Sequence, residues 1–274
     1  MENAGRCVYR LMKQLLPLLL FALCSLQSAA QPGATRSLQP DKPQTIHVFV
    51  ALCDNKYQGI VPVPARIGNG QDPDNNLYWG CGFGIRSYFK NSKEWQLVAK
   101  RGRSGYILER LVFRHRTKNT YLVADAWNGQ FIKACTNDFL KSAAGQIKDT
   151  LRINNTIIGI DGNARLLAYI GHDGLMDFSL SGDYNNADGI HRDCIILACY
   201  SKRFFAPHLV KTKADPLVWT TGLMCPEAYS LHDALNSYIA GGTREQVRQS
   251  AIKAYSKYQK CSIKAAGNLL TAAY

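Results

Sequence analysis

The chain has 274 residues, 46% of them hydrophobic and 19% charged, with a formal net charge of +13, nine cysteines, 22 glycines and 10 prolines. So high an apolar content excludes a wholly disordered chain, and ordinary glycine and proline counts exclude a collagen-like or low-complexity one. Nine cysteines are too sparse for a small disulfide-stapled scaffold, the length suits one large domain or two small ones, and the positive balance admits an acidic partner without requiring one.

Residues 1–30 read as a signal peptide. Arg6, Arg10 and Lys13 precede a short apolar run from Leu15 to Leu23, and Ser28-Ala29-Ala30 offers a small-residue cleavage site. The run falls short of the roughly 20 apolar residues of a membrane span. An uncleaved anchor is the alternative. A lipoprotein reading would make Cys24 the new N-terminus, but Leu23 is large for the residue before it. No later segment is apolar enough to span a bilayer, so a soluble, secreted or periplasmic monomer is expected. Export would remove Cys7 and Cys24 and leave Cys53, Cys81, Cys135, Cys194, Cys199, Cys225 and Cys261. Seven thiols in an oxidising compartment allow up to three disulfides and one thiol over; the alternative is buried, unpaired cysteines. No C-x-x-C pair is present.

Residues 31–44 hold three prolines and read as a linker, with a single α/β domain expected over 45–274. The apolar, β-branched run 45–52 predicts a strand buried on both faces, hence a parallel sheet. A loop follows over 54–76, then a predicted helix over 77–89. Strands are predicted over 95–100, 106–114 and 121–125, and a helix over 130–144 with Asn128 as N-cap and Gly145 as stop. The apolar strands 166–170, 194–198 and 217–221 follow, and two helices, 226–239 and 244–261, close the chain.

Strands alternating with helices predict an α/β fold, a three-layer α/β/α sandwich around a mostly parallel sheet. In such sheets functional groups gather at the carboxyl ends of the strands. Strand 166–170 runs into Gly171-His172-Asp173-Gly174, and strand 194–198 runs into Cys199-Tyr200-Ser201. Neighbouring strands lie about 5 Å apart, so His172 and Cys199 would stand side by side. A cysteine nucleophile reacts as the thiolate, and a nearby histidine can take its proton and pass it to a leaving amine. The N–H of Asp173 or Gly174, with that of Cys199, would form an oxyanion hole.

An apolar strand ending in His-x-Gly, followed by one ending in Ala-Cys, resembles the caspase–legumain–gingipain group of cysteine peptidases. The matching stretches are 167–174 and 195–201. The resemblance implies a caspase-like α/β/α domain, His172 as general acid/base, Cys199 as nucleophile, and a pocket for the side chain before the scissile bond. The sequence departs from caspases at Asp173, at Leu197 and at Tyr200-Ser201-Lys202, the last closer to the legumain and metacaspase style.

Asp54 and Asn55 end the first buried strand at the same sheet edge, where they would line the pocket or orient His172; an ordinary Asx turn is the alternative. An acidic Asp54 there would favour Lys or Arg substrates. Asp125 and Asp177 are further candidates of that kind. Ser201 and Thr220 are placed to line the substrate site, with ordinary strand roles as the alternative.

No cofactor or metal is expected. Asp72–Asn76 and 183–189 are oxygen-rich loops of a kind that holds calcium, but neither has EF-hand spacing and turn chemistry is the simpler reading. His191 and Cys194 are half a metal site without the other half. Asn154-Asn155-Thr156 fits a glycosylation acceptor. Residues 90–118 carry nine basic side chains against two acidic ones. A solvated face is the bland reading and a polyanion-binding surface the sharper one, with no motif for specific nucleic-acid recognition. The expected activity is an exported cysteine endopeptidase acting on a peptide or protein substrate; the alternatives are an inactive caspase-like binding module or a basic polyanion-binding protein.

Overall fold

The structure is a computed structural model and describes residues 42–60, 62–272 and 274. Among these described residues, ten strands and six helices follow the chain in the order β1 (Gln44–Ala51), α1 (Ile85–Lys90), β2 (Trp95–Arg101), β3 (Ile107–His115), β4 (Thr120–Trp127), α2 (Ile132–Ala143), β5 (Lys148–Ile153), β6 (Thr156–Asp161), β7 (Leu166–Gly171), β8 (Asp193–Leu197), α3 (Ser201–Thr212), β9 (Asp215–Thr220), α4 (Ala228–Ile239), α5 (Arg244–Gln259), α6 (Ile263–Leu269) and β10 (Leu270–Thr271). The expected signal peptide, and the linker up to residue 41, lie outside the described residues.

One eight-stranded sheet has the order β10-β9-β8-β7-β1-β4-β3-β2. Its centre is parallel: β4, β1, β7, β8 and β9 run the same way, and antiparallel strands finish both edges. The sequence explains the parallel centre. β1, β4 and β7 are apolar almost throughout and buried along both faces. Alternate residues of β1 divide between two cores. Ile46, Val48 and Val50 face α1, α4 and α5, while Phe49 and Ala51 face α2 and α3. Helices therefore cover both faces of the sheet, an α/β/α layering. The hairpin of β5 and β6 adds a third cluster, in which Ile153, Ile158 and Ile160 meet Val112, Tyr121 and Val123.

Three segments differ from the sequence-based expectation. The helix expected over 77–89 is confined to Ile85–Lys90, because residues 77–84 fold as turns around close backbone contacts. A Cβ on Gly80 would run into the carbonyl oxygen of Asp74, which a continuous helix would not bring so near. The β5–β6 hairpin has no counterpart among the expected elements; Asn154 makes its turn at φ 51°, a left-handed conformation that asparagine tolerates. Helix α3, also absent from the expectation, directly follows the Cys199 turn and carries Pro207 in its interior. Asn128 caps the turn before α2 as expected, accepting from the N–H of Gln130.

A buried ion network ties the hairpin to the sheet. His47 on β1 hydrogen-bonds Asp125 on β4 at 3.0 Å and lies 3.2 Å from Asp161 at the end of β6. Arg110 on β3 grips Asp125 with two hydrogen bonds of 2.6 Å. Burial pulls the His47 pKa down, but the hydrogen bonds and charges of the two aspartates outweigh it and raise the value from 6.5 to about 9. Arg110 is thus spent inside the fold, and Lys100 pairs with Glu109 at 2.5 Å, so the 90–118 stretch offers fewer free cations than its composition suggests.

Candidate active site

The carboxyl ends of β1, β7, β8 and β9 lie along one edge of the sheet. The chain leaves β1 for β4 on one side and later fills β7, β8 and β9 on the other, so the edge above β1 is a switch point of the kind that forms ligand crevices. The β7–β8 ladder pairs Ile170 with Leu197. His172 and Cys199 each follow by two residues, so they leave the sheet at equivalent positions of adjacent strands.

Glycine fixes where His172 stands. Gly171 has φ 130°, a backbone state L residues rarely adopt, and a Cβ there would collide with the carbonyl oxygen of Ala51. The His172 N–H donates to that same oxygen at 3.2 Å. The buried imidazole then reaches Asp177 through Nε2, at 2.6 Å from Oδ2. The same carboxylate oxygen accepts from the N–H of Gly59 at 3.1 Å, which ties the histidine to the loop after β1. Asp177, five residues beyond the histidine, thus fixes the ring to both loops.

Cys199 sits on a sharp strand-to-helix turn. Tyr200 follows in the left-handed region at φ 50°, and its N–H donates to Gly222 at 2.8 Å. Two buried hydroxyls lock the turn. Ser201 Oγ donates to Ile196 at 2.9 Å and accepts from the Thr220 N–H at 2.9 Å; Thr220 Oγ1 donates to Ala198 and accepts from the Ser201 N–H. Ser201 and Thr220 thus hold the turn that carries Cys199, with both hydroxyls buried. The half-buried Cys199 thiol donates to the Met224 carbonyl at 3.6 Å and accepts from the Met224 N–H at 3.4 Å. Burial pushes its pKa up, the Met224 backbone opposes the shift, and the Asp173 charge adds to it. No hydrogen bond joins Cys199 to His172 among the described residues.

The remaining predicted residues separate. Asp173 is fully buried and accepts from the Leu175 N–H at 2.9 Å through Oδ1, while Oδ2 has no partner among the described residues. Burial above all, helped by Asp177 and opposed by the Leu175 N–H, raises its pKa from 3.8 to about 7. The backbone N–H groups of Asp173 and Cys199 have no acceptor among the described residues. The Gly174 N–H instead approaches the Tyr169 hydroxyl, and the ring tip of Phe178 packs over the glycine, where a Cβ would lie 2.6 Å from it. Asp54 is buried and makes the Asx turn: Oδ1 accepts from Lys56 and Tyr57, Oδ2 from Gln71. Asn55 clasps the backbone of Val63 from both ends of its amide. Neither hydrogen-bonds His172. Asp125 lies within β4 in the ion network, away from the edge.

Asp72 and Asp183 spend oxygens on local turn bonds, Cys194 is buried in β8, and no group of three or more metal-ligating side chains occurs among the described residues. No described helix is long and apolar enough to cross a membrane. All seven described cysteines are free thiols. Large apolar side chains are exposed on the edge loops: Tyr57 after β1, Phe83 before α1, Met176 after β7 and Leu223 after β9. Sequence reasoning missed these and the Tyr200 turn; an interrupted helix and a left-handed tyrosine leave no pattern to read. No family model, no curated protein and no solved structure matches this chain.

Proposed function

We propose that the chain is an exported, caspase-like cysteine endopeptidase with Cys199 as nucleophile and His172 as its acid/base partner. The observation that carries this reading is the register: a histidine and a cysteine at equivalent positions beyond adjacent parallel strands, each held by dedicated neighbours. Asp177 occupies Nε2 of His172 and leaves Nδ1 for proton transfer. Substrate binding would draw the thiol from Met224 toward the scissile carbonyl. Sulfur attacks the carbonyl carbon as its proton passes to His172, which then protonates the leaving amine. The unpartnered N–H groups of Asp173 and Cys199 are the donors available for the developing oxyanion. The exposed apolar side chains on the edge loops give a peptide chain footing.

A peptide library and a thiol-reactive peptide probe test the proposal together. Wild type cleaves and is labelled at Cys199, Cys199→Ala does neither, and His172→Ala loses on the order of 100-fold in rate. Absence of cleavage across a broad library, or cleavage by Cys199→Ala, overturns it. The raised thiol pKa and the missing His172–Cys199 hydrogen bond favour a second reading, a binding module on the same fold. That module would retain a peptide without cutting it, equally well in Cys199→Ala.

A further inference from the structure

Cys225 lies on the exposed loop that follows β9, and its neighbour Met224 is the residue whose N–H and carbonyl both hold the Cys199 sulfur. The two thiols share surroundings as well as a peptide. Burial above all, then the charges of Glu227 and Cys199, push the Cys225 pKa up, and Cys199 and Cys225 both contribute to the raised values of Tyr78 and Tyr255, which burial dominates. The Cys225 N–H donates to the Tyr255 hydroxyl at 3.3 Å, which anchors the loop without covering the thiol. Other cysteines fit less well. Cys53 is fully buried just beyond β1, and Cys261 lies beyond α5. Residues 221, 223 and 225 are exposed while Met224 is buried in the core, so Cys225 stands at the surface directly beside the residue that holds the Cys199 sulfur.

We propose that Cys199 and Cys225 form a reversible disulfide, an oxidative modification site that caps the nucleophile. The oxidant is a low-molecular-weight disulfide such as oxidised glutathione. The exposed Cys225, as thiolate, attacks one sulfur of that reagent; its S–S bond breaks, a mixed disulfide forms and one small thiol leaves. Cys199, as thiolate, then attacks the Cys225 sulfur and expels the second small thiol. Two protein thiols have lost two electrons and two protons, and one small disulfide has become two thiols. Disulfide formation itself does not depend on the peptidase reading; its effect on activity does.

The experiment treats the purified full chain with oxidised glutathione, alkylates it, and maps tryptic peptides without reduction. The expected result is a peptide pair, two hydrogens lighter than the separate chains, with fragmentation placing the bond at Cys199 rather than Cys194. Alkylation of Cys199 falls at least about tenfold and returns with dithiothreitol. In Cys225→Ser, an exposed substitution, Cys199 stays alkylable after the same treatment. Persistent alkylation of Cys199 in the oxidised wild type, a lasting glutathione adduct on Cys225, or pairing of Cys225 with Cys53 or Cys261 overturns the proposal. A Cys199–Cys225 link in a chain that cleaves no peptide upholds the disulfide and removes only the peptidase reading.

Discussion

Asp177 illustrates how one carboxylate oxygen can hold two loops at once. It receives the His172 imidazole and the Gly59 N–H on the same atom, so the position of the histidine is set jointly by the loop after β1 and the loop after β7. Replacing the charge while keeping the shape separates orientation from electrostatics. Asp177→Asn is expected to slow peptide cleavage about tenfold, the worth of one charge-assisted hydrogen bond of ~1.5 kcal/mol. Its urea midpoint should stay near that of wild type, because the amide oxygen can still accept from Gly59. A cleavage rate equal to wild type would remove Asp177 from the machinery. His172 and Cys199 were legible in the sequence because each ends an apolar run. Asp177 was visible only as one of several acids, since nothing in a sequence says which loop carboxylate folds back onto the ring. Asp54 and Asn55 ended a buried strand at the right edge too, but the loop they start needed their side chains for its own turns.

At the level of elements, the doubly buried parallel strands were the legible part, since they lack the polar alternation of a half-exposed strand. The hairpin β5–β6 was hidden because its strands mix buried isoleucines with exposed charges, and α3 because a proline interrupts its pattern. The hairpin depends on the His47 network, which makes its attachment sensitive to pH. The folded state raises the His47 pKa from 6.5 to about 9, so it binds a proton the unfolded chain releases within that window. The stabilisation is complete below about pH 6.5 and is lost as pH rises toward 9. Urea midpoints should therefore fall across that range in wild type, and the slope should flatten in His47→Gln. A wild-type slope unchanged by the substitution would assign the effect to other groups.

On the scale of the whole molecule, the sheet covers one flank with the last described strand. β10 pairs with β9 through Leu270 and Thr220, the Thr221 N–H donates to Leu269, and Arg248 binds the carbonyls of Gly267 and Leu270. Thr220 is also one of the hydroxyls that lock the Cys199 turn. Ending the chain after Ser262 should leave β9 as a bare edge that self-associates, seen as light scattering, and should reduce probe labelling at Cys199. A monodisperse, normally labelled truncation would show that α6 and β10 are dispensable. This flank was not readable beforehand, because a two-residue strand carries no periodicity.

The place of β1 at the centre of the sheet also governs how the chain can acquire its structure. β1 is the first described strand, yet its partners begin at Thr120 and Leu166. Neither neighbour is local, so the core cannot close on short-range contacts, and loop closure must precede most of the stabilising burial. The candidate nucleophile comes later still, on a strand that docks onto β7. A chain emerging from its N-terminus therefore carries β1 unpaired until β4 begins at Thr120, and open along its other side until β7 begins at Leu166. Such a chain should fold slowly and depend on being kept from aggregating until β7 arrives.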